Sequence, residues 1–353
     1  MGQILSFLPI GGSIDNSKLP VLNENYPQDV TIMESADGNA TFEIKILEHG
    51  KPAEYTYQWY VNGVAVDGAT NIIYTKTGLT SAAAYTVYCE VTNKAGTVTS
   101  RVATLNVASS KPVYSYGGTA SLEADGSYNY KMKFLTSGVL KFTNLGCFQN
   151  GIDVFCVGGG GAGSSPERPG GAGGGGGRTN ESYNISIETN KDYTITVGAG
   201  GVGAKASYGA NGGETSGFGV SAAGGNGASN VNGGAGGSGG GGAGLNNGDN
   251  INHRGGVGGT NGGDGGSGYN SSGGKGQGKT TKAFGEGDPY AGGGGGDAVG
   301  GSAGGSVGGG TGGGGNGTAN TGGGGGAGRG TGNYPCAAGS GGSGVIIIRN
   351  HRS

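Results

Sequence analysis

Charged side chains are scarce in this sequence, and those present nearly cancel. Only 12% of its 353 residues are charged, and the formal net charge is −2. Because the chain lacks an excess of positive charge, we expect it to bind neither nucleic acid nor an anionic membrane surface. Long hydrophobic runs are missing as well, which predicts no insertion into a membrane. The short apolar patch near the N-terminus lacks a positive flank and does not match a signal peptide.

Groups that carry chemistry are also few and dispersed. The four cysteines follow no metal-site spacing, and the three histidines are not spaced to pair with a nucleophile. We expect four free thiols, as suits assembly in a reducing cytoplasm, while a bridge between Cys147 and Cys156 stays open. Residues 273–280 match the phosphate-binding loop pattern, but lack the preceding strand and following helix that the motif needs. These features predict no enzyme, no cofactor and no metal.

Glycine is what the chain has in abundance. Most of its 93 glycines follow Val157, many of them in runs separated by Ala, Ser, Asn and Thr. Composition alone favours a flexible linker, because ordering glycine costs entropy and buries no side chain. Two apolar segments that open and close the region favour order instead: Ile152–Val157 and Val345–Ile348, here called the framing segments. A flexible linker has no reason to end in four consecutive β-branched residues.

Extended left-handed helices of three residues per turn suit such glycine runs. They satisfy no hydrogen bonds internally, but side by side they can bond one another through N–H and C=O groups. Side chains would hold the backbones apart, so glycine is required. Collagen itself is excluded, because strict Gly-X-Y periodicity and abundant proline are missing. We therefore expect a bundle of polyglycine II helices, with a disordered tail as the alternative.

Several glycine-rich motifs occur in a fixed order along this region. They are Val-Gly-Gly-Gly-Gly-Ala-Gly after a strand, Tyr-Thr-Ile-Thr-Val-Gly-Ala-Gly-Gly at 193–201, Pro-Tyr-Ala-Gly-Gly-Gly-Gly-Gly at 289–296, Gly-Thr-Ala-Asn-Thr-Gly-Gly-Gly-Gly-Gly at 317–326 and Gly-Gly-Ser-Gly-Val-Ile-Ile-Ile-Arg at 341–349. Together they resemble the glycine-rich domains of bacteriophage and prophage tail proteins. The distal tail-fibre adhesins of bacteriophages use a related polyglycine bundle, whose tip loops bind the host. The resemblance implies such a bundle and an origin in a virion.

The first part of the chain predicts a small all-β module. Residues 28–108 contain alternating apolar segments, an Asn62-Gly63 turn signal and a lone Trp59 that would face Cys89. This arrangement resembles an immunoglobulin-like β-sandwich without its disulfide. Residues 1–27 are predicted to be an attachment arm that docks on a neighbouring virion protein. The apolar contacts of this arm would be Leu5, Phe7 and Leu8.

A linker, residues 109–118, is predicted to separate this module from the glycine-rich domain, residues 119–353. Alternating apolar residues at 128–134 and 140–142 predict strands that join the framing segments in one β-sheet platform. The framing segments do not alternate, so we expect them in the centre of that sheet, buried on both faces. A hairpin is predicted over residues 183–197, and a further strand over residues 218–222. The fold class expected is all-β plus polyglycine II helices.

Counting glycine runs outward from the sheet and back divides the intervening turns into two groups. Turns near the sheet include Phe284 and Tyr290, whose loss would lower stability or assembly. Turns at the far end carry tyrosines, which give a large contact area at little cost in side-chain entropy. The predicted receptor-binding residues there are Glu167, Arg168, Tyr208, Tyr269, Asn270, Asn333 and Tyr334. The alternative is that these residues only cap the ends of the bundle.

Together these features predict a non-enzymatic phage tail or fibre-tip protein that acts as a host-receptor-binding adhesin. Its partners would be other virion proteins through the N-terminal region, and a bacterial surface glycan or outer-surface protein through the far end. It would be made in the host cytoplasm and placed in the virion, at the tail tip rather than the capsid surface, and a homo-oligomer is compatible with this role. The alternative is a structural virion component, such as a head decoration, fibre cap or baseplate protein, that binds no receptor.

Overall fold

The computed structural model describes residues 16–165, 170–205, 207–244, 254–258, 282–297, 308–328, 330–331 and 334–352. The chain divides into two compact units, Met1–Ser110 and Lys111–Ser353. Both are built from β-strands, and the helical turns in the described residues are short 3-10 turns at Gly146–Asn150 and Ala283–Gly285. No helix among these residues has the length and apolar character to span a membrane. The fold class is therefore all-β, as predicted.

The first unit contains ten strands within its described residues. They are β1 (Val21–Leu22), β2 (Val30–Met33), β3 (Ala40–Glu43), β4 (Ile46–Glu48), β5 (Thr56–Val61), β6 (Val64–Ala65), β7 (Ile73–Lys76), β8 (Ala83–Asn93), β9 (Gly96–Thr99) and β10 (Ala103–Ala108). The largest sheet has the order β2-β10-β8-β5-β6, with β9 beside β8. Two smaller sheets pair β1 with β4 and β3 with β7. The strands pair antiparallel except for β2 and β10, which are parallel.

Alternating residues of these strands fill one core around Trp59. The Trp59 side chain is fully buried, lies opposite Cys89 in the β5–β8 register and stacks on Tyr74, with ring centroids 5.6 Å apart. Its indole N–H donates to the Asn71 carbonyl at 2.8 Å, so burial leaves the ring nitrogen satisfied. The predicted Asn62-Gly63 turn joins β5 and β6, with both residues at positive φ.

The structure differs from the predicted boundaries in two places. Residues 16–27 are not a free arm, because β1 pairs with β4, and Lys18 exchanges backbone hydrogen bonds with Lys51. Residues 109–118 are not only a linker, because Val113–Tyr116 forms a strand that pairs within the second unit. In both places a short segment finds a pairing partner far away in the chain, β4 for β1 and the strand Gly138–Asn144 for Val113–Tyr116, which composition does not reveal. The predicted arm contacts lie outside the described residues: Leu5, Phe7 and Leu8.

The second unit combines two sheets with the glycine-rich segments. Its strands are β11 (Val113–Tyr116), β12 (Ala120–Ala124), β13 (Tyr130–Phe134), β14 (Gly138–Asn144), β15 (Ile152–Val157), β16 (Thr179–Ile185), β17 (Asp192–Ile195), β18 (Thr215–Gly217), β19 (Val220–Ala222), β20 (Gly330–Thr331), β21 (Tyr334–Pro335) and β22 (Val345–Asn350). An antiparallel five-stranded sheet has the order β12-β13-β22-β15-β16. An antiparallel three-stranded sheet has the order β11-β14-β17. Two short hairpins pair β18 with β19 and β20 with β21.

The framing segments lie where predicted, in the centre of the five-stranded sheet. β15 and β22 are neighbours in that sheet, and all six residues of β15 are buried. One face of the sheet shares a core with the three-stranded sheet. Residues of that shared core include Met132, Phe134, Leu140, Phe142, Ile346 and Ile348. The other face, with Phe155 and Ile347, is covered by the segment around Tyr290. Burial on both faces explains why the framing segments are mainly apolar. The exception is Asp153 of β15, which is fully buried and pairs with Arg349 at 3.2 Å.

Three details of the predicted platform are corrected. Residues 140–142 do not join the framing segments, because β14 pairs with β11 and β17 in the second sheet. Residues 183–197 do not form a hairpin, since β16 pairs with β15 while β17 pairs with β14. Phe218, predicted in a strand, occupies a tight turn with Gly219. Two alternating segments around a turn fit either one sheet or two, and here both sheets gain by burying their apolar faces in one core.

Candidate functional site

The glycine-rich connections leave the sheets as extended segments, here called legs, that run out and back. After β15, residues 158–165 run outward, and residues 170–178 return alongside them to β16. Backbone hydrogen bonds join these two legs along their length: Gly158 N to Arg178 O at 2.9 Å, Gly161 N to Gly175 O at 2.8 Å and Ser164 N to Ala172 O at 2.8 Å. Residues 197–205 and 207–214 form a second pair of legs. The outer ends of both pairs lie away from the sheets.

Legs of different connections are bonded to each other as well. Gly160 N donates to Gly342 O at 2.9 Å, and Gly225 N donates to Gly159 O at 2.8 Å. A Cβ on Gly160 would lie 2.0 Å from Gly323 O, which is far closer than real Cβ atoms approach. A bonded backbone cannot swing aside like a flexible side chain, so glycine at this position is a steric requirement. Main-chain contacts therefore hold these legs together.

Outer turns from separate connections meet at the far end of the legs. Ser165 and Ser207 exchange backbone hydrogen bonds at 3.1 and 3.0 Å. The Ser165 hydroxyl donates to the Cys336 carbonyl at 2.5 Å, and the Ser164 hydroxyl donates to the Asn230 carbonyl. Both serines are buried, so each hydroxyl exchanges water for a protein acceptor. These bonds make one surface, here called the far end, from turns that are distant in the sequence.

Two of the predicted receptor-binding residues have described positions. Tyr208 directly follows Ser207, and it is 67% exposed. Tyr334 lies in β21, which pairs with β20 and precedes Cys336 in the chain. Tyr208 and Tyr334 therefore belong to turns that the serine bonds bring together. The remaining predicted residues lie outside the described part of the chain: Glu167, Arg168, Tyr269, Asn270 and Asn333. The phosphate-loop match at 273–280 also lies outside it.

Phe284 and Tyr290 lie at the opposite end, next to the sheets, as predicted. Their rings approach Phe155 of β15, with centroids 6.2 and 5.5 Å apart. The turn at Asn320 is near the sheets too, since its backbone N–H donates at 2.9 Å to the hydroxyl of Ser343, just before β22. For these described residues, counting glycine runs outward and back separates near turns from far turns correctly.

Sequence reasoning missed the residues that organise the far end. Ser164 and Ser165 form a pair of hydroxyl residues directly after a glycine run, and that position was the available signal. Glycine has no side chain to fix a turn, so an isolated polar residue among glycines is a candidate anchor. Asn211 acts in this way, because its side-chain oxygen accepts from Gly227 N at 2.9 Å.

The described residues of the far end include exposed side chains, among them Tyr208 and the free thiol of Cys336. Both serine hydroxyls are donors to backbone carbonyls, and the described residues contain no group of three His, Cys, Asp or Glu side chains placed to hold a metal ion. All four cysteines are free thiols, so the Cys147–Cys156 bridge is not formed. Burial raises the pKa of the Cys156 thiol to about 12, which keeps it protonated and unreactive at neutral pH. The arrangement can display exposed side chains such as Tyr208 on a main-chain frame.

Comparison with known proteins bears on the glycine-rich part. A search of curated proteins found no match. The family described as Glycine-rich domain matches residues 142–351, which include both framing segments and the legs between them. This match covers more than half of the sequence and confirms the predicted glycine-rich domain. The chain therefore belongs to the glycine-rich domain family.

Proposed function

We propose that the chain is a non-enzymatic bacteriophage tail or fibre-tip protein that binds a receptor on the bacterial surface through its far end. The observation that carries this proposal is the meeting of separate turns away from the sheets, with Tyr208 67% exposed among them. A binding surface gains affinity when aromatic groups sit on a frame that costs little to order. Legs that are bonded to each other along the main chain supply such a frame.

In this proposal the legs are polyglycine II helices. A strand in a β-sheet has at most two bonded neighbours, one on each side. The leg that contains Gly174 has more, which supports a three-dimensional bundle. Gly174 N donates to Gly325 O at 2.8 Å, and Gly174 O accepts from Gly294 N at 2.9 Å. A Cβ on Gly174 would lie 2.1 Å from Gly161 O, in a third leg. Helices of three residues per turn present main-chain groups in these several directions.

The first unit is, in the same proposal, an immunoglobulin-like module that serves as a spacer or docks on other virion proteins. Support comes from the buried Trp59 opposite Cys89, and from the parallel pairing of β2 with the last strand β10. Burial raises the pKa of the Cys89 thiol to about 12, and Cys89 makes no disulfide. Packing around Trp59 would therefore replace the covalent link of secreted relatives.

Adsorption of virions to host cells tests the receptor-binding proposal. Tyr208→Ala should strongly reduce adsorption while particle assembly and thermal unfolding stay unchanged, because an exposed turn residue buries little. Truncating an aromatic hot spot costs about 2 kcal/mol or more, which is about thirtyfold in affinity. Tyr183→Ala is the matched control, because Tyr183 is 51% exposed but lies in β16, within the five-stranded sheet. This control should adsorb normally.

A triple variant decides between the adhesin and the structural protein. It removes the three tyrosines that the sequence predicts at the far end: Tyr208, Tyr269 and Tyr334. If adsorption is unchanged in this variant, the structural virion component becomes the better explanation. Antibody labelling of the chain in electron micrographs of virions gives an independent answer, since an adhesin should label at the tail tip and a head decoration on the capsid surface.

A further inference from the structure

A cleft of about 300 Å³ opens on the outer face of the five-stranded sheet, the face that does not share the core with the three-stranded sheet. Strand residues line one side of it: Lys131 and Lys133 of β13, with Ile347 and Arg349 of β22. The segment 283–290 lines the other side. The volume is at the lower end of the range for small-molecule sites, so it suits a single ring-sized ligand.

Contacts with neighbouring side chains fix two aromatic rings of this segment, Phe284 and Tyr290. The Arg349 guanidinium carbon lies 4.3 Å from the centroid of the Phe284 ring, and the Phe284 N–H donates to the Glu181 carboxylate at 3.0 Å. The Tyr290 ring packs against Phe155, with centroids 5.5 Å apart. Burial raises the pKa of the Tyr290 phenol, which therefore stays protonated and can donate. Both rings are half-buried, so the aromatic side of the cleft exists without a ligand.

Hydrogen-bonding capacity remains on both sides of the cleft. Lys131 Nζ lies 3.9 Å from Glu123 and 3.7 Å from Asp125. Both distances exceed a hydrogen bond, so these carboxylates balance the ammonium charge while its three N–H donors stay available to a ligand. On the other side, the exposed side chain of Asp288 offers a carboxylate acceptor, and so does the second oxygen of Glu286, whose first oxygen accepts from Arg349 at 3.3 Å.

The charges that line the cleft cancel, with three cations opposed to three carboxylates. The cations are Lys131, Lys133 and Arg349, and the carboxylates are Asp125, Glu286 and Asp288. No net field therefore selects an ion. Adjacent donors and acceptors instead suit hydroxyl groups, each of which both donates and accepts. The aromatic rings suit the apolar face of a sugar ring. We propose that this cleft binds one neutral pyranose unit, either a free sugar or the end of a glycan.

The proposal is tested by titrating the full chain with neutral sugars and measuring binding by calorimetry or NMR. The sugars are glucose, galactose, mannose and N-acetylglucosamine. Saturable binding of at least one of these sugars is expected. Lys131→Met should weaken that binding about tenfold or more, because a charged donor loses its hydrogen bonds to the ligand. Asp288→Ala should weaken it too, and the exposed position of Asp288 protects the fold. Lys141→Met is the matched control, since Lys141 forms an exposed ion pair with Asp192 on the other sheet.

Further binding measurements distinguish a free sugar from a glycan end and test the competing explanations. A short oligosaccharide of the best sugar should bind more tightly than its methyl glycoside if the occupant is a glycan, and equally if it is a free sugar. The proposal is overturned if no neutral sugar binds saturably, or if Lys141→Met weakens binding as much as Lys131→Met. It is also overturned if glucuronate binds about tenfold more tightly than glucose, because charge would then select the ligand. Tyr208→Ala should leave sugar binding unchanged. Sugar binding in the cleft and receptor binding at the far end can therefore be tested separately, and either proposal can fail without the other.

Discussion

A single methyl group at Gly294 should strongly destabilise the glycine-rich legs. The Cβ of a Gly294→Ala variant would lie 2.0 Å from Gly325 O and 2.6 Å from Gly325 C, whereas real Cβ atoms essentially never come within 3.0 Å. The two legs must therefore separate by about 1 Å. Both are bonded to Gly174, since Gly294 N donates to Gly174 O at 2.9 Å and Gly174 N donates to Gly325 O at 2.8 Å.

A displacement of that size breaks both of these hydrogen bonds. Losing a buried main-chain hydrogen bond costs roughly 1–3 kcal/mol, so the loss of two bonds should lower the free energy of unfolding by about 2–6 kcal/mol. Gly294→Val should cost at least as much, because its larger side chain meets the same backbone. Gains in chain entropy from replacing glycine are smaller, about 0.4–1 kcal/mol, and do not offset the loss.

Urea unfolding followed by circular dichroism measures the effect. Trp59 is the single tryptophan of the sequence and lies in the first unit, so its fluorescence should report an unchanged midpoint there. Gly117→Ala is the matched control in the second unit, because its Cβ would meet Val139 N at 3.6 Å, an ordinary contact. Equal stability of Gly294→Ala and Gly117→Ala would refute the reasoning, since it would mean that the legs do not need bare backbones.

Three other changes test the packing of the two units. Trp59→Ala should cost about 3–5 kcal/mol and lower the unfolding midpoint of the first unit by circular dichroism, because the ring is fully buried. Asp153→Ala should cost about 3–5 kcal/mol in urea unfolding, because Asp153 is fully buried and pairs at 3.2 Å with Arg349, whose largely buried charge would keep only the exposed Glu286 as a carboxylate partner. Asp192→Ala, which breaks an exposed pair, should cost about 1 kcal/mol or less, and equal costs would contradict this account. The free energy of unfolding should also fall as pH rises above about 9, because burial raises the pKa of the Cys156 thiol to about 12 and the unfolded chain releases that proton first. A flat profile by calorimetry between these pH values would show that the thiol is not protected.

Local patterns in the sequence determined much of this protein. The framing segments are apolar at every position except Asp153, which predicts central strands buried on both faces, and β15 and β22 lie there. Asn62-Gly63 specifies a tight turn, because both residues tolerate positive φ. The order of glycine runs and breaks placed Tyr208 with the far turns and Phe284 near the sheets. Each of these inferences needs only side-chain periodicity, turn chemistry or chain direction.

Pairing between distant segments was decided by the tertiary structure alone. Alternation at 140–142 and 183–197 predicts strands but not which sheet they join, and that choice followed from burying two apolar faces in one core. Glycine runs are nearly identical to one another, so nothing in the sequence says that Gly160 must touch Gly323. Main-chain N–H and C=O groups are the same at every glycine, so only the packing of the legs determines which of these groups bond to each other. The anchors at Ser164 and Ser165, like the cleft beside Lys131, exist because that packing brings together side chains that are far apart in the chain.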